Sequence, residues 1–190
     1  MEEVRAVLAD LPIDGADVVE LAPGTGIWTE QLVGRSGRVT AVDASAEMIA
    51  ENRRRLADRA ATVSFVLADI FEWRPDRTFD AAVFCFWISH VPDARLDSFL
   101  AGVASMLRPG GSVFFLDGRR EPTSGATDHQ LPEVGEELMV RRLDDGREFR
   151  IVKNYRAATD LEVRCRTAGL DVSVRETPTY FQFGVGARAS

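Results

Sequence analysis

The 190-residue sequence predicts an α/β fold, a doubly wound and mostly parallel sheet. Three observations carry this expectation. Apolar runs alternate with helical patterns through the first 118 residues, as successive strand–helix–strand units do. The first run leads into the glycine-containing turn Ala22-Pro-Gly-Thr-Gly26. Acidic residues then stand at the ends of three successive runs: Glu20, Asp43 and Asp69.

The strands of that alternation are expected at 17–22, 38–42, 63–68, 79–86 and 112–117. A helix at 45–58 has Ser45 as its N-cap and sets Met48, Ile49, Asn52 and Leu56 on one side. A second helix, at 93–107, aligns Leu96, Phe99, Leu100, Val103, Met106 and Leu107 on one face. It stops at Arg108-Pro-Gly-Gly111, because proline and glycine continue a helix only at a cost. The stretch 121–132 is rich in Pro, Thr, Ser, Gly and Asp and reads as an exposed loop that includes His129. A hairpin follows, with strands at 138–143 and 148–152 around Asp144-Asp-Gly146, where Asp-Gly supplies the positive φ of a tight turn. Thr159-Asp-Leu-Glu162 has capping-box spacing for a further helix that Gly169 ends. Two last strands, at 170–177 and 180–187, are separated by Pro178. Residues 1–190 read as one domain in which 119–155 is an inserted loop and hairpin, a lid or a dimer contact.

Composition narrows the function. The formal charge is −7, and a chain of that sign repels phosphate backbones unless positive charge is locally focused. The one dense basic run, Arg53-Arg-Arg55, lies in a helical pattern and reads as a solvated face, so no nucleic-acid partner is expected. The first residues are acidic rather than basic, and the longest apolar run, 81–88, is far too short to span a bilayer. The expectation is a soluble cytoplasmic protein, monomer or homodimer, without a membrane partner. Cys85 and Cys165 fall in a strand and a helix and read as reduced core residues, forming neither a disulfide framework nor a metal site.

The chemistry is concentrated at the strand ends. A dinucleotide-binding turn needs G-x-G-x-x-G, yet here Ile27 takes the last glycine's position, Trp28 follows, and Glu20 would face a pyrophosphate as a like charge. A nicotinamide-dependent oxidoreductase is therefore disfavoured. S-adenosylmethionine fits better, since its ammonium and sulfonium are stabilised by a nearby carboxylate. Asp43 is placed to accept from ribose hydroxyls, and Asp69 from an adenine amino group. Each acid on its own suits a helix cap; three at successive strand ends point to a ligand.

On Glu20-Leu-Ala-Pro-Gly-Thr-Gly26, Val42-Asp-Ala-Ser-Ala-Glu-Met-Ile49, Ala68-Asp-Ile70, Phe79-Asp80 and Leu107-Arg-Pro-Gly-Gly111, in this order and spacing, the chain resembles the class I S-adenosylmethionine-dependent methyltransferases. The resemblance covers nearly the whole chain. It implies a Rossmann-like seven-stranded sheet whose last strand is antiparallel and inserted beside the fifth. It also implies that Glu20 and the backbone of Ala22, Pro23, Gly24 and Gly26, with Trp28 nearby, hold the methionine end. Asp43 with Ala44 would hold the ribose, Met48 would pack on the adenine, and Ala68, Asp69 and the Ile70 amide would read its edge. Cys85 and Phe86 belong to the segment that passes beside the transferred methyl. One departure stands out: the family usually has glycine where this chain has Ala22, which predicts altered loop geometry rather than lost binding.

That same segment continues through Trp87 to His90, whose imidazole can act as a base at neutral pH if the attacking atom must lose a proton. Local hydrogen bonding is the competing role for His90. Trp28, Phe86, Trp87 and Tyr155 are candidates for an aromatic acceptor wall, against simple core packing. Asp117 and Arg119, past the fifth strand, face the same edge as substrate contacts or as a solvated loop. No Asn- or Asp-Pro-Pro-aromatic tetrapeptide follows the fourth strand, which removes the family's signature for methylating nucleic-acid bases. The resulting expectation is in-line methyl transfer to an oxygen, or a nitrogen, of a small molecule, with S-adenosylhomocysteine as product. The alternative is a methyltransferase-like binding domain without turnover.

Overall fold

The computed structural model describes Ala9 and residues 11–121, 137–142 and 145–190. Five strands, β1 (Asp17–Leu21), β2 (Arg38–Asp43), β3 (Val63–Leu67), β4 (Phe79–Cys85) and β5 (Leu107–Gly118), are mutually parallel. β9 (Phe181–Arg188) runs antiparallel beside β5, and β8 (Leu170–Glu176) pairs antiparallel with β9 at the edge. The spatial order β3-β2-β1-β4-β5-β9-β8 is the Rossmann-like seven-stranded arrangement that the resemblance implies. The order reverses between β1 and β4, and at such a switch point the loops part to leave a crevice at the carboxyl ends of the strands.

The sequence explains the layering. Strands covered on both faces are apolar almost continuously, and β2 is buried from Val39 to Asp43. Successive residues alternate between two cores. Val19, Leu21, Phe84 and Phe115 meet helices α3 (Asp93–Met106) and α4 (Ala158–Thr167) on one face. Val18, Val83, Phe114 and Leu116 meet α1 (Thr29–Val33) and α2 (Ala46–Leu56) on the other. Ser45 caps α2 as expected, its hydroxyl accepting from the Met48 amide at 3.1 Å. The predicted apolar face of α3 is buried throughout.

Several local expectations are corrected. α3 passes directly into β5, so Arg108–Gly111 belong to the strand instead of a separate turn, at a register break opposite Phe79–Ala81. The capping box at Thr159–Glu162 does not form: α4 begins at Ala158 without a side-chain cap, and Glu162 instead accepts from the Val174 amide at 2.8 Å. A tertiary hydrogen bond has taken the carboxylate that local spacing assigned to a cap. Gly169 does end α4, with φ +83°. The expected hairpin forms from β6 (Leu138–Arg142) and β7 (Glu148–Val152), which pair antiparallel from Leu138 opposite Val152 to Arg142 opposite Glu148, and Gly146 takes the expected positive φ, +85°. Apart from Glu121, the loop expected at 121–132, with His129, lies outside the described residues, as does Asp144 of the turn. No helix among the described residues is long and apolar enough to cross a membrane.

Candidate active site

The site is built where β1, β2, β4 and β5 end. Glu20 lies one residue from the end of β1 and is paired in register with Ala41 and Val83, so strands enclose it on both sides. It is only 1% exposed. Burial pushes its carboxyl up from 4.5 to about 7; the nearby Asp43 charge acts in the same direction, and a hydrogen bond with the Thr29 hydroxyl opposes them. Its Oε2 is buried without a hydrogen-bond partner among the described residues. A buried acceptor left unpaired costs free energy, and a cation laid against it removes that cost.

The loop after Glu20 is bare backbone. Ala22 donates its amide to Val42, and the Gly26 amide donates to Pro23 at 3.1 Å to close a turn. Ala22 takes φ +52°. The alanine has thus kept a left-handed geometry that suits glycine, and the loop carries strain where altered geometry was the expectation. α1 begins after Trp28 and has only five residues, so it offers no long helix terminus to this edge.

On β2, Asp43 binds the loop and starts the next helix: Oδ2 accepts from the Gly24 amide at 3.1 Å and Oδ1 from the Ser45 amide at 2.9 Å. Each oxygen retains a further lone pair. Ala44 is exposed and Met48 half-buried just beyond. Asp69 is exposed and accepts from the Phe71 amide at 2.9 Å, so it is a turn-forming acid with one oxygen to spare. Its neighbours Ala68 and Ile70 pack into the core. A buried carboxyl at the end of β1, the Asp43 carboxylate on β2 and a further acid after β3 form a donor-seeking set, which fits S-adenosylmethionine, a cation bearing hydroxyls and an amine.

The segment after β4 is the second half of the site. Phe86 has φ +56° while its amide donates to Leu116 at 2.6 Å. A left-handed backbone at an aromatic residue is costly, and it turns the ring outward to 37% exposure, between Trp28 at 6.4 Å and Phe181 at 5.8 Å. Trp28 itself is 5% exposed, so core packing describes most of that ring. Trp87 leans on Phe71 at 6.0 Å, with its Nε1 buried and unpartnered. The Cys85 thiol is raised well above its ordinary value by burial and by the nearby Glu20 and Asp117, and is therefore no nucleophile.

His90 sits in the 3₁₀ turn Ile88–His90, and its Nδ1 lies 2.7 Å from the Val152 carbonyl oxygen. A carbonyl only accepts, so Nδ1 carries the hydrogen and the neutral ring has its lone pair on Nε2. The turn is fastened by residues that the sequence did not single out. Asn154 donates its amide to the Ser89 carbonyl at 2.7 Å, and Arg156 donates to the Ile88 and Val91 carbonyls at 2.8 Å each. Asp117, expected as a substrate contact or a solvated loop residue, is fully buried. It accepts from the Ser89 amide and hydroxyl and faces Lys153 Nζ at 3.2 Å. The Arg119 guanidinium is engaged by the Thr177 carbonyl and Glu176. Tyr155 is half-buried with its ring 5.4 Å from Lys153 Nζ; burial and the Asp117 charge raise its hydroxyl, against the opposing Arg120. None of the residues 153–156 has a local sequence signature; only their tertiary partners mark them.

Comparison with known proteins agrees with this geometry. A family profile described as a methyltransferase domain matches residues 18–111. A solved DhpI–SAH complex is 40% identical, covering 99% of this chain and 81% of that one, with a TM-score of 0.79. A DhpI–SAM–HEP complex is 39% identical, covering 97% and 85%, with a TM-score of 0.81. The ubiquinone biosynthesis O-methyltransferase of Xanthomonas campestris pv. campestris (strain B100) is 27% identical over 168 residues, which are 87% of this chain and 67% of that protein.

Two predictions follow from the buried acid and the loop. The folded Glu20 carboxyl is raised from 4.5 to about 7, so its contribution to stability is complete below pH 4.5 and is lost as pH rises toward 7. Urea unfolding of ligand-free protein from pH 5 to 8 will show Glu20→Gln gaining on wild type by up to about 1.4 kcal/mol per pH unit, levelling off above pH 7. A Cβ on Gly26 would lie 2.2 Å from Asn52 Oδ1, at φ +84°. Gly26→Ala will therefore cost about 2 kcal/mol or more, while Ala22→Gly stays within about 1 kcal/mol of wild type in the same assay.

Proposed function

The chain belongs to the class I S-adenosylmethionine-dependent methyltransferases, and from that premise we infer that it methylates an oxygen of a small organic acceptor held between Phe86 and His90. The observation that carries this reading is the buried, unpartnered Glu20 Oε2 beside a bare loop, with the Asp43 carboxylate on the adjacent strand. When bound, the cofactor supplies a methyl group on a positively charged sulfur. The chain's own residues bind, orient and exclude water.

Glu20 pairs with the ammonium of the methionine end, and the backbone of Ala22, Pro23, Gly24 and Gly26 lies against the rest of it. Asp43, already fixed by two loop amides, accepts from the ribose with its remaining lone pairs. Ala44 and Met48 flank the adenine, and Asp69 with the Ala68–Ile70 backbone meets its edge. Cys85 and Phe86 lie by the sulfur, where a neutral thiol and an aromatic ring exclude water without competing for the methyl.

On the acceptor side, Trp28, Phe86, Phe181 and Tyr180 make an aromatic wall, adjacent rings lying 5.8–6.4 Å apart. Opposite stand Trp87, His90 and Tyr155. The Val152 carbonyl holds His90 in the tautomer whose Nε2 takes the hydroxyl proton as the new C–O bond forms. Within a single domain, the β6–β7 hairpin strands of the insert act as a lid on this side, clasped by Lys153 and Asn154. The oxygen acceptor rests on this tautomer and on the O-methyl transfer named for the Xanthomonas relative. Both cysteines are free thiols, which suits a cytoplasmic protein.

A label-transfer screen with S-adenosylmethionine and a panel of hydroxylated small molecules will identify the acceptor. With that acceptor, His90→Ala will lower turnover at least about tenfold and leave S-adenosylhomocysteine affinity within about twofold; unchanged turnover removes His90 from the chemistry. Asp43→Ala will weaken S-adenosylhomocysteine at least about tenfold in calorimetry, and equal binding by that variant contradicts the assigned orientation of the cofactor.

A further inference from the structure

Asn52 is a polar residue in the middle of α2, on the side of the helix that faces the sheet, and it is fully buried. An apolar residue satisfies such a position, and an amide there costs free energy unless it is hydrogen-bonded. Only one end of this amide is. Nδ2 donates to Thr29 Oγ1 at 2.8 Å, while Oδ1 is buried without a partner among the described residues. Thr29 is itself fully buried, and its hydroxyl lies on the Glu20 side of the pair and favours the charged form of that carboxyl. A hydroxyl that accepts from an amide has one hydrogen to give onward, so the three side chains form a directed relay from α2 through α1 to the end of β1. α2 also holds the loop. The Asn52 amide fills the space against Gly26, and Arg55 Nε donates to the Thr25 carbonyl at 2.8 Å.

We propose that Asn52 is a positioning residue for cofactor binding: through Thr29 it aims the Glu20 carboxyl at the methionine end, and against Gly26 it fixes the loop that carries that end. The proposal rests on the reading of this cradle as the cofactor site. Around Glu20 stand Thr29 on α1, Asp43 on β2 and Cys85 on β4. Asp43 opposes ionisation of Glu20, and the thiol brings no positive charge. The Thr29 hydroxyl favours the charged carboxylate, and Asn52 holds Thr29 in place through its 2.8 Å hydrogen bond.

The test is calorimetric titration of the intact protein with S-adenosylhomocysteine, which has the amino-acid end, and with adenosine, which lacks it, between pH 6 and 9. In wild type, S-adenosylhomocysteine affinity rises with pH to a midpoint near the raised Glu20 value of about 7, and adenosine affinity is flat. In Asn52→Leu the former weakens at least about fivefold at pH 7 and its midpoint moves up by about half a pH unit, while adenosine stays within about twofold. Thr29→Val reproduces both changes and Thr29→Ser restores wild-type behaviour, and this pair decides the matter if Asn52→Leu does not fold. An unmoved midpoint, or equal losses for the two ligands, overturns the proposal and leaves Asn52 a packing residue. Failure of wild type to bind either ligand instead overturns the assignment of the cradle, and the positioning role with it.

Discussion

A carboxyl group held out of water at the end of the first strand is the interaction on which the rest of the site is organised. Glu20 is enclosed between β2 and β4 in a sheet buried on both faces, and burial, with the Asp43 charge acting in the same direction, raises its carboxyl to about 7. A folded protein tolerates such a group where something else gains from it. Under the proposed function the gain is a cation's: an ammonium brought against Oε2 would satisfy an acceptor for which no described residue supplies a donor. The neighbouring elements frame that acceptor. The loop contributes amides instead of side chains, Asp43 braces the loop through Gly24, and α2 reaches back over Gly26 with Asn52.

The other half of the edge is held together differently. The turn after β4 buries Ile88 and Val91 in the core, and its polar backbone is fastened by the chain that follows the hairpin. The buried Asp117–Lys153 pair, bridged by the Ser89 hydroxyl, locks this contact. Buried ion pairs contribute little net stability, because desolvation offsets attraction, but they penalise every misaligned arrangement heavily. Here the aligned arrangement sets the Val152 carbonyl against His90, so a structural pair determines the tautomer of the ring beside it. The same economy appears in backbone strain. Ala22 and Phe86 both occupy left-handed conformations, one in each half of the site, and the surrounding strands supply the stability that keeps them there.

Much of the fold was legible from periodicity, because parallel strands buried on both faces cannot avoid continuous apolar runs and α3 cannot avoid its apolar stripe. The candidate acids and loop of the cofactor side could be named for a related reason. The three acids stand at or just past strand ends and the loop carries two glycines, all within one contiguous stretch up to Ile70, and only Cys85 and Phe86 lie beyond it. The acceptor half was not legible in this way: Ser89 meets Lys153 across 64 residues and His90 meets Val152 across 62, and no local pattern encodes such a pairing. The capping box of α4 failed for the same cause, since Glu162 found a better donor in Val174 than in its own helix.

By itself, then, the sequence determined the alternation of strands and helices, the charged strand ends and the kind of ligand they suit, since burial and charge are properties of residue type and spacing. Tertiary structure alone decided that Glu20 Oε2 is buried without a hydrogen-bond partner among the described residues, that Asn52 and Thr29 stand behind it, and that His90 Nδ1 meets the Val152 carbonyl. Those facts depend on which distant side chains arrive at the same few ångströms, and hydrogen-bond geometry is fixed only when they do.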